Sequence, residues 1–130
     1  PTGRIVVMTW GNPQGMDAEA LVTALKPLLP SPPARAPGPF ALSDEGALKT
    51  FADSAGLTVL KLAEFACEWR YRDLHTALRG LGSSGVAARA AEHSSVEAVD
   101  AAHAAALAPF RCDDGSYRLG ASFHWLLAAP

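Results

Sequence analysis

The sequence predicts an α/β fold in which three strands are connected by helices and by one long helical insertion. Two kinds of pattern support this prediction. Apolar or alternating runs typical of strands lie at 5–10, 57–71 and 117–127. Between them, apolar residues recur at spacings of three and four, which is the period of a helix with one buried face. The predicted order is strand, helix, proline-rich loop, helix, strand, helical insertion, strand.

The first strand and the first helix follow from residue types. Residues 5–10 form a continuous apolar run, which is typical of a strand buried on both faces with a neighbour on each edge. The Gly-Asn-Pro turn at 11–13 ends this strand, because glycine and proline interrupt a strand ladder. The next helix is predicted over 16–28, where apolar residues share one face, and Pro27 and Pro30 close it.

The middle of the chain combines a proline-rich loop with a second helix. Residues 27–42 form the loop, because six prolines between positions 27 and 39 hold the backbone extended. Ser43 is a good N-cap for the helix that follows, and acidic residues occupy its first turn. Gly56 suits the left-handed position just beyond the last turn. We therefore predict a stiff surface loop leading into a well-defined helix.

The second strand, at 57–71, is predicted at an edge of the sheet. Several charged side chains lie along it, and charges are typical of edge strands. Strict alternation places Val59 and Phe65 on one face of this strand and Leu62 on the other.

The segment 73–109 is an alanine-rich helical insertion with breaks near 80–85 and 93–95. We predict three helices there. Asp73 caps the first, the second runs over about 86–92, and the third begins after Ser94 or Ser95.

The last strand begins after a turn at 113–116 and alternates from Tyr117 to Leu127, with His124 on the face opposite Leu127. A right-handed crossover makes the first two strands parallel, since nearly all such connections have this hand. The last strand is expected to return antiparallel and to lie between them.

Composition bounds the class of protein. The 130 residues are 49% hydrophobic and carry a net charge of −2, which suits a single domain, residues 1–130, with one ordinary core. No basic block could neutralise several phosphates, and no apolar run approaches the length of a membrane span. Cys67 and Cys112 fit neither a disulfide framework nor a paired-thiol metal site. We therefore expect a cytoplasmic protein without nucleic-acid, membrane or metal partners.

Three stretches of the chain have counterparts in one family. They are Pro1-Thr2-Gly3-Arg4 with the strand to Gly11, Phe40-Ala41-Leu42-Ser43 with the helix to Ala55-Gly56-Leu57, and the strands at 65–71 and 117–127 with Ala108-Pro109-Phe110 between them. The first is similar to a Pro-Gly-Gly-Arg turn and fifth strand, with Thr2 replacing one glycine. Together they resemble the C-terminal part of class I S-adenosylmethionine-dependent methyltransferases, specifically the small-molecule enzymes related to ubiquinone and menaquinone biosynthesis.

The resemblance implies a partial Rossmann-like methyltransferase sheet, with the fifth, seventh and sixth strands side by side, the last strand antiparallel, and flanking helices. It also implies S-adenosylmethionine as the cofactor of a full-length enzyme and a small molecule as methyl acceptor. The family's glycine-rich turn follows its first strand, whereas the G-x-G-x-x-G run of this sequence, at 80–85, lies within the predicted helical insertion and not after a strand. We therefore expect no cofactor-binding residue in this chain, no cofactor binding by the chain alone, and no activity from it as an isolated fragment.

Candidate site residues come from the same resemblance. The family's acceptor pocket is walled by the segment after the fifth strand and by the insertion between the last two strands. This points to Trp10, Asn12, Trp69 and Tyr71 for substrate binding, although aromatic residues on an edge strand also suit packing against helices. His93, at a predicted helix end, is the candidate catalytic base, although the helix dipole also explains a histidine there.

A second hypothesis is a free-standing, dimeric α+β module that binds a small ligand without catalysis. In this case Trp69, Tyr71, Phe123 and Trp125 would line an apolar pocket. The reading frame upstream of residue 1 separates the two hypotheses, because only the methyltransferase needs a glycine-rich first turn there. In both cases the strand edge from Ile5 to Thr9 is expected to be covered, by a second copy or by a missing N-terminal half.

Overall fold

The computed structural model describes residues 3–130, so Pro1 and Thr2 of the opening turn lie outside the described residues. The order of elements confirms the predicted α/β class. These elements are β1 (Ile5–Trp10), α1 (Glu19–Ala24), α2 (Glu45–Ser54), β2 (Thr58–Tyr71), α3 (Leu74–Gly82), α4 (Gly85–His93), α5 (Val96–Leu107) and β3 (Tyr117–Ala129), with short 3-10 turns at Lys26–Leu28 and Ala108–Phe110. Within residues 3–130, none of the helices combines the length and apolarity needed to cross a bilayer.

The described chain divides into two compact units. The sheet unit contains residues up to 16, 36–67 and 121–130, and the helical unit contains 17–35 and 68–120. The sheet unit therefore holds β1, α2 and most of β2 and β3. The predicted insertion lies entirely within the helical unit, together with α1.

The three strands form one antiparallel sheet in the order β1-β3-β2. This confirms that the last strand lies between the other two and that β2 takes an edge. Ile5 lies opposite Ala128, and Trp10 lies opposite Phe123.

The prediction that the first strand is buried on both faces is wrong for the described residues. Val6 and Met8 are 65% and 62% exposed. Within the described sheet, β1 has a neighbour along one edge only.

The core of the sheet unit forms where α2 covers β3. Leu48 and Ala52 of α2 meet Leu126 and Ala128 of β3, and all four are at most 1% exposed. Burial of such side chains is the main favourable term in folding.

The alternation of β2 differs from the prediction. Val59 and Leu62 both pack against this core, although strict alternation would put them on opposite faces. Strict alternation is therefore interrupted between Val59 and Leu62.

Two helix boundaries also differ from the prediction, each for a local reason. The N-cap of α2 is Asp44, not Ser43, because the Asp44 carboxylate accepts a hydrogen bond from the Ala47 N–H at 2.9 Å. The predicted helix over 16–28 is a six-residue α1 followed by the 3-10 turn that contains Pro27. Proline has no N–H to continue an α-helix, but the first positions of a helical turn do not need one.

The helical unit is organised around α5, which contacts α1, α3 and α4. Its core combines Leu25, Val99 and the small residues Ala87 and Ala90. Each of α3, α4 and α5 is capped by a side chain that accepts a hydrogen bond from the third residue after it. The caps are Asp73, as predicted, Ser84 and Ser95.

His103 makes the stability of the protein depend on pH. It lies on α5 and is 2% exposed. Burial lowers the pKa of its imidazole below the ordinary value of 6.5, and Asp100 on the same helix partly opposes this effect. When the pH falls through 6.5, the unfolded chain takes up a proton at His103 that the folded chain does not. Stability should therefore fall as the pH decreases from 6.5 toward the folded-state pKa.

We expect His103→Leu to make the free energy of unfolding less dependent on pH. One titrating group can change this free energy by at most about 1.4 kcal/mol per pH unit. Urea unfolding followed by circular dichroism between pH 5 and 7.5 measures it. Asp100→Asn is the matched variant with the opposite expectation. It removes the charge that raises the pKa of His103, so its stability should fall over a wider pH range. An unchanged profile in His103→Leu would contradict the assignment.

Candidate functional site

A polar recess of about 470 Å³ lies in the sheet unit where β1 ends and α2 begins. Two turns shape it. The Asn12 side chain accepts a hydrogen bond from the Gln14 N–H at 3.0 Å, and Asp44 caps α2. The residues that line it are Asn12, Pro13, Ser43, Asp44, Glu45, Glu64 and His124. These described lining residues include three carboxyl groups and one imidazole but no Lys or Arg.

His124 is the most deeply buried polar group of this recess. It lies on the middle strand opposite Thr9, and its side chain is 5% exposed. Its Nε2 lies 3.9 Å from Glu45 Oε1 and 3.8 Å from Glu64 Oε2, both beyond hydrogen-bond distance. Its Nδ1 is buried and has no hydrogen-bond partner among the described residues. A buried nitrogen without a partner costs folding free energy, and in His124 this nitrogen belongs to a side chain that lines the recess.

Glu64 is held by a hydrogen bond at one of its two oxygens. Its Oε1 accepts from the Ser122 hydroxyl, which leaves Oε2 as the oxygen nearer to His124. Ser122 is fixed in turn, because its carbonyl accepts the Gly11 N–H at 2.7 Å. The end of β1 therefore positions Ser122, and Ser122 positions Glu64.

A second, apolar recess of about 420 Å³ lies beside β1. Trp10 forms part of it and stacks on Phe123 at 5.0 Å between ring centroids, and Phe123 stacks on Phe65 at 5.6 Å. The residues that line the recess are Thr9, Trp10, Pro37, Gly38, Pro39, Ala41, Leu42 and Phe51. It therefore offers aromatic and aliphatic surface with few polar groups.

The predicted substrate-binding residues are divided between the two units. Trp10 and Asn12 lie in the sheet unit at the end of β1, where Trp10 lines the apolar recess and Asn12 lines the polar one. Trp69 and Tyr71 lie in the helical unit, on the part of β2 beyond 67. The structure thus brings the first pair together at one strand end, and the binding role of all four stays a prediction.

Tyr71 and His93 have different environments within the helical unit. The Tyr71 ring lies so close to Gly80 of α3 that an added Cβ there would come within 3.4 Å of it. Burial raises the pKa of the Tyr71 hydroxyl. His93 is the last residue of α4 and is exposed. Its role as a base stays a prediction.

Sequence reasoning did not select His124, Glu45 or Glu64 as a site. One signal could have found them. A histidine on the strand expected in the middle of a sheet is expected to be buried, and buried polar groups in cores need a partner or a function. The neighbours of His124 across the sheet would still have depended on a register that only the structure provides.

No protein-family model and no curated protein sequence matches this chain. Within residues 3–130, no group of three or more His, Cys, Asp or Glu side chains is arranged to hold a metal ion. Among the described residues, the G-x-G-x-x-G pattern occurs at 80–85, between α3 and α4, where it follows a helix and not a strand.

Proposed function

We propose that this chain is the C-terminal, acceptor-side portion of an S-adenosylmethionine-dependent methyltransferase that acts on a small molecule. The observation that carries this proposal is the strand order β1-β3-β2 with an antiparallel last strand. Consecutive strands are usually neighbours in a sheet. Here β1 and β2 are consecutive but separated by β3, and this is the order that the resemblance implies for the fifth, seventh and sixth strands.

The polar recess supports the same proposal. Methyl transfer by displacement requires a precisely held acceptor and, for a protonated nucleophile, a base. The recess lies immediately after the strand that corresponds to the family's fifth, and Asn12 lines it. The His124 Nε2 faces two carboxylates there, so it is placed to take a proton from an acceptor. On this geometry His124 is a better candidate base than the exposed His93.

The methyl-donor site belongs, in this proposal, to a preceding half of the enzyme. Such a site uses a glycine-rich turn after a strand, and the G-x-G-x-x-G run at 80–85 follows helix α3 instead. The exposed apolar side chains of Val6 and Met8 are consistent with a further element that covers β1. Free thiols at Cys67 and Cys112 fit a reducing, cytoplasmic location, which is also part of the proposal.

The test compares the 130-residue chain with the full product of its reading frame. Calorimetric titration of the chain with S-adenosylmethionine should give no binding heat. The full product should bind S-adenosylmethionine and transfer its labelled methyl group to a member of a small-molecule panel. Tight cofactor binding by the chain alone would contradict the location of the donor site, and a reading frame without a glycine-rich first turn would contradict the proposal itself.

The alternative, a dimeric ligand-binding module without catalysis, is favoured by one observation. The apolar recess beside Trp10 is large enough for a small hydrophobic ligand, although its lining includes none of the four aromatic residues predicted for the pocket, Trp69, Tyr71, Phe123 and Trp125. Sedimentation equilibrium separates the two functions. A stable dimer of the 130-residue chain, with no methyl transfer by the full product, would favour the binding module.

A further inference from the structure

The polar recess around His124 carries a strong bias of charge. Asp44, Glu45 and Glu64 contribute three carboxyl groups, and none of the lining residues among the described ones is Lys or Arg. A concave site lined by one sign of charge concentrates ions of the opposite sign. The recess therefore favours a cationic ligand over an anionic one.

His124 provides an independent indication of a ligand. Its side chain is more than nine-tenths buried, it lines the recess, and its Nδ1 has no partner among the described residues. A histidine is normally oriented by the hydrogen bond at its second nitrogen, which fixes the tautomer. No described group does this at Nδ1, so the tautomer of His124 is open to selection by a group bound at Nε2.

The distances around Nε2 match a single small donor atom. Nε2 lies 3.8 Å from Glu64 Oε2 and 3.9 Å from Glu45 Oε1. These gaps are too long for direct hydrogen bonds but shorter than two hydrogen-bond lengths of about 2.9 Å each. One donor atom placed beside them can reach Nε2 and either carboxylate together. A tetrahedral zinc ion, at about 2.0 Å from each ligand atom, would need them closer together.

We propose that the polar recess binds the ammonium group of a small-molecule amine. The ammonium group has three N–H donors, and the acceptors around this position are the His124 Nε2, the Glu45 Oε1 and the Glu64 Oε2. A neutral alcohol has a single donor and no charge, so it satisfies fewer of them. An anion is repelled by all the carboxylates.

Binding of an amine does not depend on the proposed methyl transfer. Only the assignment of that amine as the methyl acceptor rests on the proposed function. An amine in this recess would have its nitrogen beside the nitrogen of His124. There His124 could accept the ammonium proton and release the lone pair for attack on a methyl group.

The test is an NMR titration of the 130-residue chain with benzylamine, which is protonated at pH 7.5. Benzyl alcohol and benzoate serve as the neutral and anionic probes. Benzylamine should shift the amide signals of Glu45, Glu64 and His124, whereas the other two probes should not. Equal shifts with benzyl alcohol, or stronger shifts with benzoate, would overturn the inference.

Charge-removing variants locate the site. Glu64→Gln keeps an acceptor for the Ser122 hydroxyl but removes the charge, so benzylamine should bind about tenfold more weakly. Glu45→Gln should act in the same direction. Glu68→Gln, on the same strand as Glu64 but outside the recess, is the matched control and should bind as the parent chain does.

The outcomes separate the two proposals. Loss of binding in Glu68→Gln equal to that in Glu64→Gln would overturn the recess as the site. Absence of benzylamine binding would overturn the amine inference and leave the methyltransferase proposal standing. Binding of benzylamine by a full product that transfers no methyl group would support the amine inference and contradict the proposed function.

Discussion

Replacement of Leu126 by alanine is expected to lower the free energy of unfolding by about 2–5 kcal/mol. Leu126 is fully buried on the middle strand, where Leu48 and Ala52 of α2 cover it. The substitution removes apolar surface from the core and leaves a cavity that a strand with neighbours on both sides cannot easily close. Urea unfolding followed by circular dichroism measures the change.

Leu60→Ala is the matched control for this prediction. It is the same substitution in the same sheet, but Leu60 is 48% exposed on the edge strand β2. Its effect should stay below about 1 kcal/mol, since exposed positions without special contacts tolerate change. Similar losses in the two variants would show that the α2 face of β3 is not the core of the sheet unit.

The strand order was predictable because it depends on rules that act over the whole chain. A crossover helix between β1 and β2 requires them to run the same way, and a long final strand can then pair between them. The alternating pattern from Tyr117 to Leu127 indicated such a strand without reference to its partners. The type and order of the strands and helices therefore followed from patterns that extend over many residues. A single residue that departs from such a pattern does not change the prediction.

The structure differs from the prediction at positions where a single residue determines the local backbone or the helix boundary. Val59 and Leu62 pack against the same core, and a periodic pattern does not signal where the alternation of a strand is interrupted. Asp44 replaces Ser43 as the N-cap because both are good caps and the choice depends on backbone angles. β1 is more exposed than predicted. An apolar run shows that a strand can be buried on both faces, but it does not show which elements cover those faces in the described chain.

The candidate site was less predictable than the fold. Ser122 and Glu64 are 58 positions apart, and their contact depends on the strand register. Alternation alone places Glu64 on the same face of β2 as Leu62. Asn12, which the resemblance selected for substrate binding, does line the polar recess, and its binding role stays a prediction.

Substitution of Gly11 by alanine should have a large effect on both stability and the polar recess. A Cβ at Gly11 would lie 2.9 Å from the Ser122 carbonyl carbon, and the Ser122 side chain would lie closer still. A backbone atom cannot move aside as a flexible side chain can, so either β1 or β3 must shift. Overpacking of this kind costs about 1–3 kcal/mol or more.

The same shift should reach the polar recess. Gly11 donates its N–H to the Ser122 carbonyl, and the Ser122 hydroxyl donates to Glu64. Displacement of Ser122 therefore moves the carboxylate that faces His124. In Gly11→Ala the amide signals of Glu64 and His124 should shift without any ligand, and benzylamine should bind more weakly. Leu126→Ala, which also lowers stability, tests whether the shifted amide signals and the weaker benzylamine binding come from lower stability alone.

Gly82→Ala is the control for the glycine itself. Gly82 ends α3, and an added Cβ there would meet no atom within 4 Å. Alanine is the better helix former, so this variant should be as stable as the parent chain or more stable by about 0.5–1 kcal/mol. Equal stabilities of Gly11→Ala and Gly82→Ala would mean that a Cβ at Gly11 fits beside Ser122 without displacing it. In that case the close approach at Gly11 would no longer explain how Glu64 is positioned beside His124.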